Sequence, residues 1–158
     1  NDSDDSFDGG DVIVTPEASV RIGVGENTDV GVKLYLFSAV VDVKHQFIKN
    51  EKYSSAFGMG VSYLDFDAET RFIDLYPAYF HTIYHTPNVS STISPRVIVR
   101  YFNDDSRDEE DDDKIVMPGL VYTLNYKIKD SSMSLRPEFG VYKYEEYYLG
   151  HFGIGISF

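Results

Sequence analysis

Three groups of residues in this chain have the types and spacing to do chemistry. The densest is NDDSRDEEDDD at residues 103–113. Its carboxylates, among them Asp104, Asp105, Asp111, Asp112 and Asp113, offer the hard oxygen ligands that suit Ca²⁺ or Mg²⁺. The run lacks the spaced ligand order and fixed glycine of an EF-hand loop, so a solvated acidic loop is expected, with no metal site. The second group is the four histidines His45, His81, His85 and His151, the side chains that titrate near neutrality when unperturbed. On a strand, His81 and His85 share a face but stand roughly 13 Å apart, too far to share one ion. The third group is Ser90 and Ser91 beside His85 at one turn, a nucleophile and a base by type. No Gly-x-Ser-x-Gly frame surrounds them. Interfacial histidines and turn serines are the expected reading, so no catalytic residue is assigned.

Other chemistry is excluded by composition. There is no Cys, hence no disulfide, thiolate nucleophile or Cys-based metal site. No Lys-Ser/Thr follows a glycine-rich turn, so no phosphate loop is present and no cofactor is expected. A net charge of -12 repels nucleic acid. The acid is concentrated in residues 1–11, a flexible segment by composition, and in residues 103–113. No run approaches the roughly 18 apolar residues of a membrane helix. A membrane-spanning barrel passes that test, because its apolar residues alternate with lumen residues.

The elements that must position these groups are strands. Residues 12–158 read as one β domain of about eight segments with period-two alternation, separated by turn signals. They fall near 12–25, 30–47, 53–66, 70–85, 91–102, 114–128, 132–144 and from about 147 to the end. The second run changes parity near Ser38–Val40, which a β-bulge would explain. The fourth has no clear facing, and its Pro77 disfavours an interior ladder position. Aromatics make up 15% of the chain, with 13 Tyr and 11 Phe. In the closing EYYLGHFGIGISF, Tyr148, Phe152, Ile154, Ile156 and Phe158 alternate with Leu149, His151, Gly153, Gly155 and Ser157.

An aromatic-rich strand ending on Phe resembles the terminal strand of bacterial outer-membrane β-barrels, of the small eight-stranded type that includes OmpX and the OmpA transmembrane domain. The resemblance implies a closed antiparallel up-and-down barrel in the bacterial outer membrane. It also implies lipid and lipopolysaccharide as surroundings, and an insertion machinery that reads the C-terminal strand. An even strand number would put both termini on the periplasmic side. The turns near Asn27, Asp67 and Glu145 would then join the acidic loop outside, and those near Asn50, Pro87 and Asp130 would lie in the periplasm. Under that topology Tyr63, Tyr101 and Tyr148 form an outer aromatic girdle, and Phe47, Phe57, Tyr126 and Phe158 a periplasmic one.

The opposite faces carry Arg21, Lys33, Asp42, Lys44, Arg96, Arg100, Arg136 and Glu138. Charges crowded into a narrow lumen must pair, so a salt-bridged plug is expected. The bases outnumber the acids, and Asp74 is a further candidate partner. The expected function is non-enzymatic: a structural, adhesive or partner-binding role at the cell envelope, with an envelope or host protein as partner. The alternatives are a narrow channel or porin, a rim-site lipid-modifying enzyme, and a soluble lipocalin-like carrier of an apolar ligand.

Overall fold

A computed structural model describes residues 13–35, 38–65, 71–103 and 114–158. The acidic N-terminal segment and the acidic loop, including its five candidate aspartates, lie outside the described residues.

The described chain is all-β and closes into a barrel of nine strands. These are β1 (Ile13–Gly23), β2 (Thr28–Tyr35), β3 (Ala39–Lys49), β4 (Tyr53–Asp65), β5 (Arg71–Thr86), β6 (Val89–Asn103), β7 (Lys114–Lys127), β8 (Ser134–Tyr144) and β9 (Tyr147–Ser157). Each pairs antiparallel with the next, and β1 closes the cylinder by pairing parallel with β9 from Ile13↔Leu149 to Arg21↔Ser157.

The expected count of about eight is therefore corrected to nine among the described residues. The error lies in the second segment, which is two strands. β2 and β3 pair antiparallel up to Leu34↔Ala39, and the Tyr35 N–H donates to the Ser38 carbonyl at 2.8 Å. The parity change near Ser38 is a chain reversal, not a bulge. Register shifts do occur elsewhere, between Gln46 and Ile48 and between Tyr84 and Thr86.

An odd strand count also corrects the topology. Because β1 and β9 run parallel, Ile13 and Ser157 stand at opposite ends of the barrel. The turn near Asn27 shares an end with those at residues 50–52, 87–88 and 128–133 and with Phe158, hereafter the C-terminal end. The β2–β3, β4–β5, β6–β7 and β8–β9 connections share the other end with the start of β1.

Alternation resolves inside from outside on every strand. The apolar set faces out: Phe139 is 52% exposed, Phe152 43% and Ile154 49%. The charged set faces in, with Glu17, Arg21, Asp42, Asp74, Arg96 and Glu138 all buried. β5, ambiguous in sequence, turns Asp74, Phe80 and Thr82 inward and Ile73 and Ile83 outward. Its Pro77 sits opposite Met59 of β4, and the β5–β6 ladder is interrupted between Leu75 and Ala78, where proline has no N–H to give.

All seven girdle aromatics are exposed and at the ends where alternation put them. Tyr63, Tyr101 and Tyr148 ring the end away from the C-terminus. Phe47, Phe57, Tyr126 and Phe158 ring the C-terminal end, with Phe47 stacked on Phe57 at 4.9 Å between centroids. Lys143 is exposed at the rim while Tyr142 is buried inward.

Candidate functional site

The candidate site is the lumen, where the sequence places charge and the strands force it together. The eight expected lumen residues all point inward, and most enter three clusters.

Glu138 on β8 is the hub of the largest. Arg96 on β6 donates to both its oxygens, at 2.8 and 3.0 Å, the bidentate fork that guanidinium and carboxylate geometry favour. Lys33 on β2 donates at 3.1 Å and the Thr123 hydroxyl on β7 at 2.8 Å. Glu17 on β1 enters through Lys33, whose ammonium lies 3.0 Å from it. His151 on β9 presents Nε2 to both acids, 3.3 Å from Glu17 and 3.2 Å from Glu138, so this nitrogen carries the proton. Register explains how two glutamates fit side by side. Gly153 of β9 lies opposite Glu138 on one side and Glu17 on the other, so no side chain separates them.

The second cluster pairs Arg100 with Asp74, directly opposite on β6 and β5, through two bonds of 2.8 Å. Asp74 is 1% exposed and also accepts from the Tyr76 hydroxyl at 3.1 Å. In the third, Arg21 pairs with Asp42 across β2. Gly31 stands between them in register, and a Cβ there would come within 2.8 Å of the Arg21 guanidinium and 2.9 Å of the Asp42 carboxylate. Glycine at 31 is what lets the ion pair lie across the strand.

Lys44 and Arg136 are inward but join no ion pair among the described residues. Lys44 packs over the Phe80 ring at 5.2 Å, and Arg136 donates through Nε to the Asn125 amide oxygen at 2.8 Å.

Three residues central to this network were not in the expected lumen set or entered it only as a candidate: Glu17, His151 and Asp74. Parity held the signal for each. Glu17 is two turns of the alternation from Arg21, and His151 is flanked by outward Phe152.

Glu17, Glu138 and His151 bring one ligand atom each within 4.8 Å of one another. Lys33 and Arg96 already supply two positive charges to the two carboxylates. A divalent ion would leave the buried cluster with an uncompensated double charge, so the chemistry of the donor set fits an ion-pair plug better than a metal centre.

No family model, curated protein or solved structure matches this chain.

The remaining histidines sit toward the C-terminal end. His45 meets the Thr28 hydroxyl at 3.1 Å and His81 the Ser55 hydroxyl at 3.2 Å. His85 Nε2 lies 2.7 Å from Ser91 Oγ, so the serine and base weighed in the sequence do touch. Ser91 is only 6% exposed, however, and among the described residues no carboxylate pairs with His85. A nucleophile needs both access and an oriented base.

Between the clusters the interior holds a cavity of about 40 Å³ lined by Arg21, Lys33, Tyr35, Arg96, Arg136 and Glu138 among others. At roughly 10–15 Å³ per water centre, that is space for a few water molecules and not for an apolar ligand.

Proposed function

We propose that this chain is an integral barrel of a bacterial outer membrane, with a lumen plugged by ion pairs and a structural, adhesive or partner-binding role at the envelope. One observation carries the reading: the polarity is inverted relative to a protein packed around an apolar core. Valine, isoleucine, leucine, phenylalanine and tyrosine cover the outside of all nine strands, and carboxylates and guanidinia fill the inside. Exposed apolar area on this scale is a liability in water and a requirement in hydrocarbon. Strand length agrees. Eleven residues at about 3.3 Å each, tilted by roughly 40°, rise about 28 Å, close to the hydrocarbon thickness of a bilayer. The two aromatic girdles mark where headgroups would lie.

The longest connection, at residues 104–113, marks the outer side on this reading, because outer loops are the longer ones. The C-terminal end then faces the periplasm. The nine-stranded parallel closure departs from the even-stranded antiparallel pattern of bacterial single-chain barrels. The proposal therefore rests on the polarity of the wall and not on that pattern.

The plug argues against the two transport alternatives. A channel needs a continuous water file, and the ion pairs crossing the middle of the lumen narrow it to a cavity of about 40 Å³. A carrier of an apolar ligand needs an apolar interior. Reconstitution tests the proposal. The protein is expected to require detergent or lipid to stay monodisperse and to give no single-channel steps in a planar bilayer. Monodispersity in plain buffer would overturn the membrane reading, and reproducible conductance would overturn the plug.

A further inference from the structure

The lumen charges do not balance, and the imbalance has an address. Six cations point inward: Arg21, Lys33, Lys44, Arg96, Arg100 and Arg136. Among the described residues four buried carboxylates answer them, Glu17, Asp42, Asp74 and Glu138, and a fifth, the half-buried Asp29, lies opposite Lys44 in register. The Glu138 and Asp74 clusters are internally compensated. The two cations left over are Lys44 and Arg136, and both line a single open vestibule of about 260 Å³ at the C-terminal end of the barrel.

Arg21 lines the same vestibule. Only one of its terminal nitrogens is used by Asp42. Its Nη1 is buried with no hydrogen-bond partner, as is Oδ2 of its partner Asp42, so this pair is closed on itself at the base of the vestibule. Arg136 commits only Nε, to Asn125, leaving both of its terminal nitrogens without a protein acceptor. Lys44 has an aromatic ring beneath it and no acceptor. Strands β5, β6 and β8 add hydroxyls from Thr82, Thr92 and Ser134 to the wall, and Thr82 and Thr92 bond each other at 2.7 Å. The one carboxylate side chain in the lining is Asp29, opposite Lys44 in register but outside ion-pair distance of it, and the terminal residue Phe158 lines the same space.

Buried cations without counter-charges are costly, and the two converging here repel one another. A protein carrying a net charge of -12 has no general need for a positive pocket. We propose that the vestibule is an anion site that takes a phosphate group, with Lys44 and the free guanidinium edge of Arg136 as its ligands. A guanidinium edge presents two parallel N–H donors, which match two oxygens of a tetrahedral oxyanion, and lysine adds a point charge. The volume exceeds that of inorganic phosphate alone, so a phosphomonoester fits as well. The phosphate can belong to a soluble compound or to a lipid headgroup bent over the rim. The site does not depend on whether lipid or water bathes the outer wall.

The test uses the detergent-solubilised full chain and calorimetric titration with inorganic phosphate and with glycerol phosphate, at constant ionic strength set by chloride. Saturable binding is expected. Lys44→Gln and Arg136→Gln should each weaken it by at least about tenfold, the cost of removing one charged partner from a desolvated site. Asp29→Asn should strengthen it, because it removes the carboxylate side chain of the lining. A parallel arm places the protein in nanodiscs with and without phosphatidic acid. If only the lipid arm responds to Lys44→Gln, the phosphate is a headgroup; if only the soluble arm responds, it is a solute. Should a variant fail to fold, the wild-type protein alone decides: phosphate must raise its melting temperature above that in chloride at equal ionic strength. Equal stabilisation by both anions, or binding indifferent to Lys44, Arg136 and Asp29, overturns the site.

Discussion

Glu138→Gln is the substitution that most directly probes the plug. The glutamate accepts from four side chains, and the amide that replaces it can neither neutralise Arg96 nor receive its bidentate fork. Lys33 and His151 keep Glu17 as a partner, so the loss falls mainly on Arg96, which is 8% exposed. Removing one member of a buried ion pair costs about 3–5 kcal/mol, and the retained Glu17 contacts place this case near the low end, at about 3 kcal/mol. Against a total stability on the order of 5–15 kcal/mol, that is a large fraction. The assay is guanidinium unfolding of the protein in detergent micelles, followed by the β-sheet circular dichroism signal. Arg96→Gln should lose a similar amount. The double variant should lose clearly less than the two losses added together, because each single change strands the same partner. A loss below about 1 kcal/mol for Glu138→Gln, or strict additivity in the cycle, would refute the idea that this pair holds the lumen closed.

Arg100→Gln strands Asp74, whose side chain is 1% exposed and keeps only the Tyr76 hydroxyl, so a cost of about 3 kcal/mol, similar to that of Arg96→Gln, is expected in the same titration. Gly31→Val places carbon where the Arg21 and Asp42 groups meet, and a loss of about 1–3 kcal/mol is expected from that overpacking. Ile154→Arg, midway along β9 on the outer face, should cost about 2–4 kcal/mol when folding is measured in lipid vesicles, while Tyr148→Arg at the rim should cost no more than about 1 kcal/mol. Equal costs at the two depths would mean that the outer face does not meet hydrocarbon. Ser91→Ala should leave any ester-hydrolysing activity of the preparation unchanged; its disappearance would revive the touching Ser91–His85 pair as a catalytic site.

How much of this was legible in sequence follows from what alternation can encode. Period two separates two faces without saying which is inside, and here the charged face could only be the lumen once closure was granted. That logic placed Arg21, Asp42, Arg96, Arg100, Arg136 and Glu138 correctly because each sits between outward apolar neighbours. It could not pair them, since partners are set by register: Arg96 and Glu138 are 42 residues apart and on strands separated by β7. It also passed over Glu17, which shares its parity on β1 with Arg21, and His151, which alternates with Phe152 on β9.

The miscounted strand has a sharper cause. The chain from Val30 to Phe47 contains no Gly-Asn or Pro-Asp turn signal between Lys33 and Val41, so composition offered no break where the structure has one. A parity change alone is compatible with a bulge or with a reversal. Length separates the two. Eighteen residues of extended chain reach about 59 Å, roughly twice what a tilted spanning strand of 9–11 residues needs. A segment that long must turn if it lies in a wall one bilayer thick. With the reversal in place the count becomes odd, and an odd number of consecutively antiparallel strands closes only through a parallel seam. The seam between β1 and β9 is thus a consequence of that one hairpin. It moves the start of β1 to the end opposite Ser157, away from the mouth where Lys44 and Arg136 line the vestibule.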